Sequence, residues 1–109
     1  MAYKWPDKDP DELADFSVDW SRFLTGVTDG EDTISSVTWL VNGEALGSFE
    51  SLGGVGGDLM LQSPTNTTTV ATVRFSAGIN GTRYKVTCRM TTLDGNIYER
   101  DIFLKVRSK

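Results

Sequence analysis

The 109-residue chain has no histidine, one cysteine and three prolines, and it has no long apolar run. Each scarcity removes a class of explanation. Without imidazole, the commonest general base and transition-metal ligand, the hydrolase triads and zinc sites lose their usual parts. A lone Cys88 can form no internal disulfide. It stands in phase with Tyr84, Val86 and Met90, so it reads as a small buried hydrophobe and not as a reactive thiol. No segment approaches the roughly 20 apolar residues of a spanning helix, and no basic stretch followed by an apolar core marks a leader. The expectation is a cytoplasmically made chain with no membrane partner, no cofactor and no metal.

What is present is alternation. Phe16, Val18, Trp20; Tyr84, Val86, Cys88, Met90; and Ile102, Leu104, Val106 each repeat with period two. That pattern belongs to strands with one buried and one wet face, and it predicts an all-β antiparallel sandwich of about seven strands in one domain. The expected strands cover residues 15–22, 33–41, 44–49, a short edge strand at Leu59 and Leu61, one at Ala71, Val73 and Phe75, and a final pair at 82–92 and 97–107. Trp20, Trp39 and their in-phase neighbours are core. Gly26, Asp29 and Gly30 read as a turn, Asn42-Gly43 as a tight hairpin, and the stretch Gly53 to Gly57 as a flexible loop.

Residues 1–15 read as an extended N-terminal arm outside the sheet, with the sandwich at 16–109. Two of the three prolines fall there, and Asp9-Pro10-Asp11-Glu12 carries the marks of one helical turn, with Asp9 as cap and Glu12 closing a capping box.

The last hairpin permits a parity argument. A two-residue Asp94-Gly95 turn would set Cys88 against Asp101 and place the two apolar rows on opposite faces. A three-residue loop or bulge is therefore expected, pairing Cys88 with Ile102 and Val86 with Leu104. Outside, that register sets Arg89 against Asp101, Lys85 against Lys105 and Arg83 against Arg107, a basic stripe that needs acidic neighbours.

Charge is distributed unevenly: residues 1–60 hold three basic and twelve acidic side chains, residues 61–109 eight basic and three acidic. Acidic strands beside basic ones within the molecule, or one copy's acidic surface against another's basic surface, would each account for it. Nucleic acid is a poor partner, because the net charge of −4 opposes phosphate.

The remaining motifs fail on their details. Asp7-Lys8-Asp9-Pro10-Asp11 begins like a calcium loop, but its sixth position is Glu12 and its twelfth Val18. Gly53 to Gly57 lacks the lysine and helix of a phosphate cradle. Asp29, Glu31 and Asp32 sit in a turn without the aromatic groove a glycosidase needs. The candidate contact residues are instead Tyr3, Trp5, Asp9 and Asp11 on the arm, and Arg83, Lys85, Lys105 and Arg107 on the basic ribbon. Trp5 either folds back on its own domain or anchors a partner.

Four stretches carry a resemblance: Lys4-Trp-Pro-Asp-Lys-Asp-Pro-Asp-Glu12, Phe16-Ser-Val-Asp-Trp20-Ser, Asp32-Thr-Ile-Ser-Ser-Val-Thr-Trp39 and Tyr98-Glu-Arg100-Asp-Ile-Phe-Leu-Lys-Val-Arg107. Over residues 4–41 and 82–107 the chain resembles tailed-bacteriophage fibre-tail adaptor or neck proteins, which have an immunoglobulin-like sandwich; residues 43–67 match no pattern. The resemblance implies a virion part, assembled in the host bacterial cytoplasm, that links the tail or head-tail connector to fibres by protein–protein contacts. Trp5, Pro6, Asp9, Pro10 and Asp11 would be an arm that docks on assembly, and copies would join head to tail in a ring. The sheets would be tied by Trp20 and Trp39 where other immunoglobulin domains use a disulfide. A carbohydrate- or cell-surface-binding module is the alternative, with Tyr3, Trp5 and Tyr98 as its only candidate aromatics.

Overall fold

The computed structural model describes residues 3–28, 32–54 and 56–108, leaving aside the side chains of Tyr3, Val27 and Thr28. Among these residues lie nine strands. Seven match the alternating segments: β2 (Ala14–Asp19), β3 (Ile34–Val41), β4 (Glu44–Leu46), β6 (Met60–Asn66), β7 (Val70–Ser76), β8 (Thr82–Thr92) and β9 (Ile97–Val106). Two more, β1 (Tyr3–Lys4) and β5 (Glu50–Ser51), are two residues each. The strands form one sheet in the order β1-β9-β8-β3-β4 and another in the order β2-β7-β6-β5. Apart from β5, this is the immunoglobulin arrangement, with β9, β8, β3 and β4 facing β2, β7 and β6. The first strand pairs parallel with the last, so β2 stands at a sheet edge.

The core lies between the sheets, and the residues in phase supply it. Phe16, Val18, Trp39, Val41, Leu61, Val73, Phe75, Tyr84, Val86, Cys88, Met90, Ile102, Leu104 and Val106 are all buried. Trp39 faces Cys88 across the β3–β8 ladder. At the corner before β8 the Tyr84 hydroxyl accepts from the Ile79 N–H (2.9 Å) and donates to Asp58 Oδ1 (2.6 Å), which fixes the turn between the sheets. Burial, reinforced by the Asp58 carboxylate, pushes this phenol up to about 12.

Five expectations need correction. The N-terminal arm is not outside the sheet, since its backbone is the edge strand beside β9. The first sandwich strand ends at Asp19, and residues expected to finish it and turn instead form helix α1 (Ser21–Thr28), entered where Asp19 Oδ1 accepts the Ser21 N–H (2.9 Å). Trp20 and Leu24 are nevertheless buried; Asp29 and Gly30 lie outside the described residues. Strand β6 is interior and longer than expected, covered by β5, and it absorbs Pro64 at a bulge where Ser63 has φ 44°. Of the glycine loop, residues 52–54 form a single 3-10 turn in which the Glu44 carboxylate accepts the Gly53 N–H (3.0 Å); Val55 is outside the described residues.

The fifth correction concerns the last hairpin. Its loop has three residues, as parity required, but they are 93–95: the Thr92 N–H donates to Asn96 O (2.9 Å) and the Gly95 N–H to Thr92 O (3.0 Å). Gly95 takes φ 87°, the left-handed position that ends such a loop and that glycine fills without strain. The register is thus two residues from the expected one, pairing Cys88 with Arg100, Val86 with Ile102 and Tyr84 with Leu104. Apolar rows still share the inner face.

Candidate functional site: the N-terminal segment and the basic sheet face

From Trp5 to Lys8 the chain stays against β9. The Trp5 N–H donates to Phe103 O (3.0 Å), the Lys8 N–H to Lys105 O (2.9 Å) and the Arg107 N–H to Lys8 O (2.8 Å). The Trp5 indole folds back on its own domain, stacked on Phe16 at 4.8 Å between centroids and tilted against Trp39 at 6.1 Å. Its Nε1–H donates to Ser17 O (3.2 Å). Of the two fates the sequence left open for Trp5, the isolated chain takes the first.

Lys8 was not singled out by sequence reasoning, yet it is 1% exposed. Its Nζ donates to Ala77 O (2.6 Å) and Asp9 O (2.9 Å), so the ammonium clips the segment to the corner before β8. Nothing in the pattern marks it, because one of the carbonyls that satisfies the buried ammonium lies 69 positions away. The expected capping box is present: Asp9 N–H donates to Glu12 Oε1 (2.7 Å), Asp11 N–H to Asp9 Oδ1 (2.9 Å) and Glu12 N–H to Asp9 O (3.0 Å). It closes a turn and no helix follows. Asp11, Glu12 and Leu13 are exposed on its outside.

The basic residues gather on the outer face of the five-stranded sheet. Arg83 and Lys105 sit directly opposite each other, a like-charge pair that disfavours the ladder, while Lys85 faces Phe103. The expected Lys85–Lys105 and Arg83–Arg107 pairs therefore do not occur. The Arg83 guanidinium lies 4.0 Å from the centroid of the Phe103 ring. Lys4, Arg83, Phe103 and Lys105 line a depression of about 300 Å³. Among the described residues, no carboxylate lies within ion-pair distance of Arg83, Lys85 or Lys105.

Elsewhere charge is compensated locally. Arg107 pairs with Asp7 (2.8 Å) and Arg74 with Asp15 (2.7 Å), both joining the acidic half of the chain to the basic half. Arg89 pairs with Glu99, in place of the expected Asp101, which instead accepts from the Thr87 hydroxyl (2.8 Å). Arg100 stands on the inner row, its guanidinium 4.5 Å from the Trp20 ring centroid. The Arg74 hydrogen bond holds the Asp15 carboxyl below its usual range, as the Ser21 hydroxyl and N–H do for Asp19.

The eight candidate contact residues thus fall into two groups. Trp5, Asp9 and Asp11 lie on the β1-to-β2 connection, and Arg83, Lys85 and Lys105 on the basic face, with Arg107 joining the two through Asp7. Tyr3 contributes backbone to β1; its side chain is outside the described residues. Tyr98 packs edge-on to Phe23 at 4.7 Å. Among the described residues, no cluster of histidine, cysteine or carboxylate side chains is arranged to hold a metal. Asp32 holds the hairpin through the N–H groups of Thr33 (2.9 Å) and Asp94 (3.3 Å), while Glu31 lies outside the described residues.

The chain was compared with known families. Residues 8–105 fit the Gp77 family, described as podophage GP4 fiber-tail adaptor protein gp77. No curated protein matches the chain.

Proposed function

Because the chain belongs to the podophage GP4 fiber-tail adaptor family, a family of phage structural proteins and not of enzymes, we propose that it joins tail or head-tail connector to fibres in the virion by protein–protein contacts made after synthesis in the host cytoplasm. The observation that carries the contact surface is the cluster of Arg83, Lys85 and Lys105, cations with no carboxylate partner among the described residues around a partly covered Phe103 ring. A charged stripe that weakens its own ladder is retained when another molecule neutralises it.

The acidic turn at Asp9, Asp11 and Glu12 offers the opposite charge. One copy's turn against the next copy's basic face is a heterologous contact, which closes into a ring when the rotation permits. Both arms of the reading are open to measurement. Solution mass is expected to exceed the monomer at low ionic strength and to fall as salt screens the contact; a monomer at every salt concentration overturns the ring. Particles made without the chain are expected to carry tails lacking fibres, and fully fibred tails overturn the adaptor role. The sugar-binding alternative has less support, since the Trp5 and Tyr98 rings are engaged with Phe16 and Phe23.

A further inference from the structure

We propose that the edge of β2 facing away from β7 receives an extended segment of a different virion protein, with apolar side chains at alternate positions and Lys or Arg between them. The inference rests on the adaptor reading and names a second contact, separate from the basic face.

The Trp20 N–H donates to Thr69 O (2.8 Å), in register with the Phe16–Val73 pair. Even-numbered residues of β2 therefore turn their backbone groups toward β7, and Asp15, Ser17 and Asp19 turn theirs outward. Two outward carbonyls are covered by side chains reaching across from the other sheet: Ser17 O by the Trp5 indole (3.2 Å) and Asp19 O by Arg100 Nη1 (3.3 Å). The three outward N–H groups have no acceptor among the described residues. A six-residue edge with a row of open donors is a template for strand addition.

The surroundings specify the added strand. Depressions of about 400 and 270 Å³ flank the Trp5 indole, the first lined by Trp5, Glu12, Ala14 and Phe16, the second by Val18, Arg100 and Ile102 among others. Inward side chains of an added strand would drop in, one on each side of the ring. On the outer face Asp15, already paired with Arg74, and Asp19 are exposed, so a basic residue opposite Asp19 is favoured and an acidic one at either position is not. A second copy's β2 is a poor occupant: antiparallel pairing centred on Ser17 would set Asp15 against Asp19. The chain's own first strand is already committed to β9.

The substitution that isolates the contact is Ser17→Pro. It deletes an outward donor and no β2–β7 ladder bond, and proline is tolerated on an edge strand where its nitrogen faces solvent. The isolated variant is expected to melt within a few degrees of wild type and Ser17→Ala to behave as wild type. In assembly, Ser17→Pro is expected to compete about tenfold less well than wild type for incorporation into particles, as loss of one backbone hydrogen bond implies. In the unaltered protein, amide exchange at Asp15, Ser17 and Asp19 is expected to be fast in the isolated chain and strongly slowed in purified particles. Equal exchange in both states, with the chain incorporated, overturns the strand contact and leaves the adaptor role standing. Slow exchange already present in an isolated dimer assigns the edge to a second copy and overturns it too. Absence of the chain from particles overturns the adaptor reading and this inference with it. Should Ser17→Pro not fold, the exchange comparison on wild type decides alone.

Discussion

Cys88 shows how the environment of one residue settles its chemistry. It occupies the strand next to Trp39 and is fully buried, and that burial pushes its thiol up to about 11. A thiolate is the reactive species, so a disulfide reagent at pH 8 is expected to leave the native protein unmodified and to titrate one thiol after denaturation. Rapid native modification would mean that β8 opens locally. Asp32 is the opposite case, a carboxylate held in its charged form. Hydrogen bonds, chiefly from the Thr92 hydroxyl, lower its pKa from 3.8. A depressed acid stabilises the fold fully above its unfolded value and loses that contribution as pH falls through the folded one. Asp32→Asn, which imitates the protonated state, is therefore expected to melt below wild type at pH 7, with the gap closing as the pH is taken under 3.8. A gap that is constant across pH would assign the loss to geometry and not to charge.

Among the elements, those read from sequence were the ones whose burial repeats. Tyr84, Val86, Cys88 and Met90 announce β8 because each second residue meets the same core, and Asn42-Gly43 announces its hairpin through backbone conformation, with φ 50° and 87°. Helix α1 was not legible: its eight residues include Thr25, Gly26, Val27 and Thr28, poor helix formers, and its start depends on Asp19 accepting the Ser21 N–H. Strand β1 has two residues, too few to show any period, and it is held by β9 backbone that sequence patterning does not see. The final hairpin lies between these cases. Parity fixed the shared inner face, but absolute register required knowing which residue would be left-handed. Gly95 decides it, and space is not the reason, since an added Cβ would meet nothing within 4 Å. Gly95→Ala is accordingly expected to cost about 1–2 kcal/mol through backbone strain alone. Urea unfolding is the check, with a lower midpoint at unchanged m; an unaltered midpoint would show that the loop relaxes freely.

At the scale of the whole molecule, the uneven charge of the sequence is resolved only in part. Arg74–Asp15 and Arg107–Asp7 join the acidic and basic halves, but Arg83, Lys85 and Lys105 remain without carboxylates among the described residues. Two explanations of that remainder predict opposite results. If the basic face serves only to keep molecules apart in solution, reversing one of its charges should affect solubility and nothing in the virion. If it is a contact surface, the same change must damage assembly while helping the isolated chain. Lys105→Glu separates them, because it places a carboxylate directly opposite Arg83 in the ladder. It replaces repulsion by attraction, worth about 0.2–1 kcal/mol for a cross-strand pair. The variant is expected to melt at or slightly above the wild-type temperature at low salt, and to compete poorly with wild type for incorporation into particles. A chain made more stable yet less able to assemble cannot owe its defect to misfolding, so that combination would place the partner's acidic surface on this face; incorporation equal to wild type would remove it.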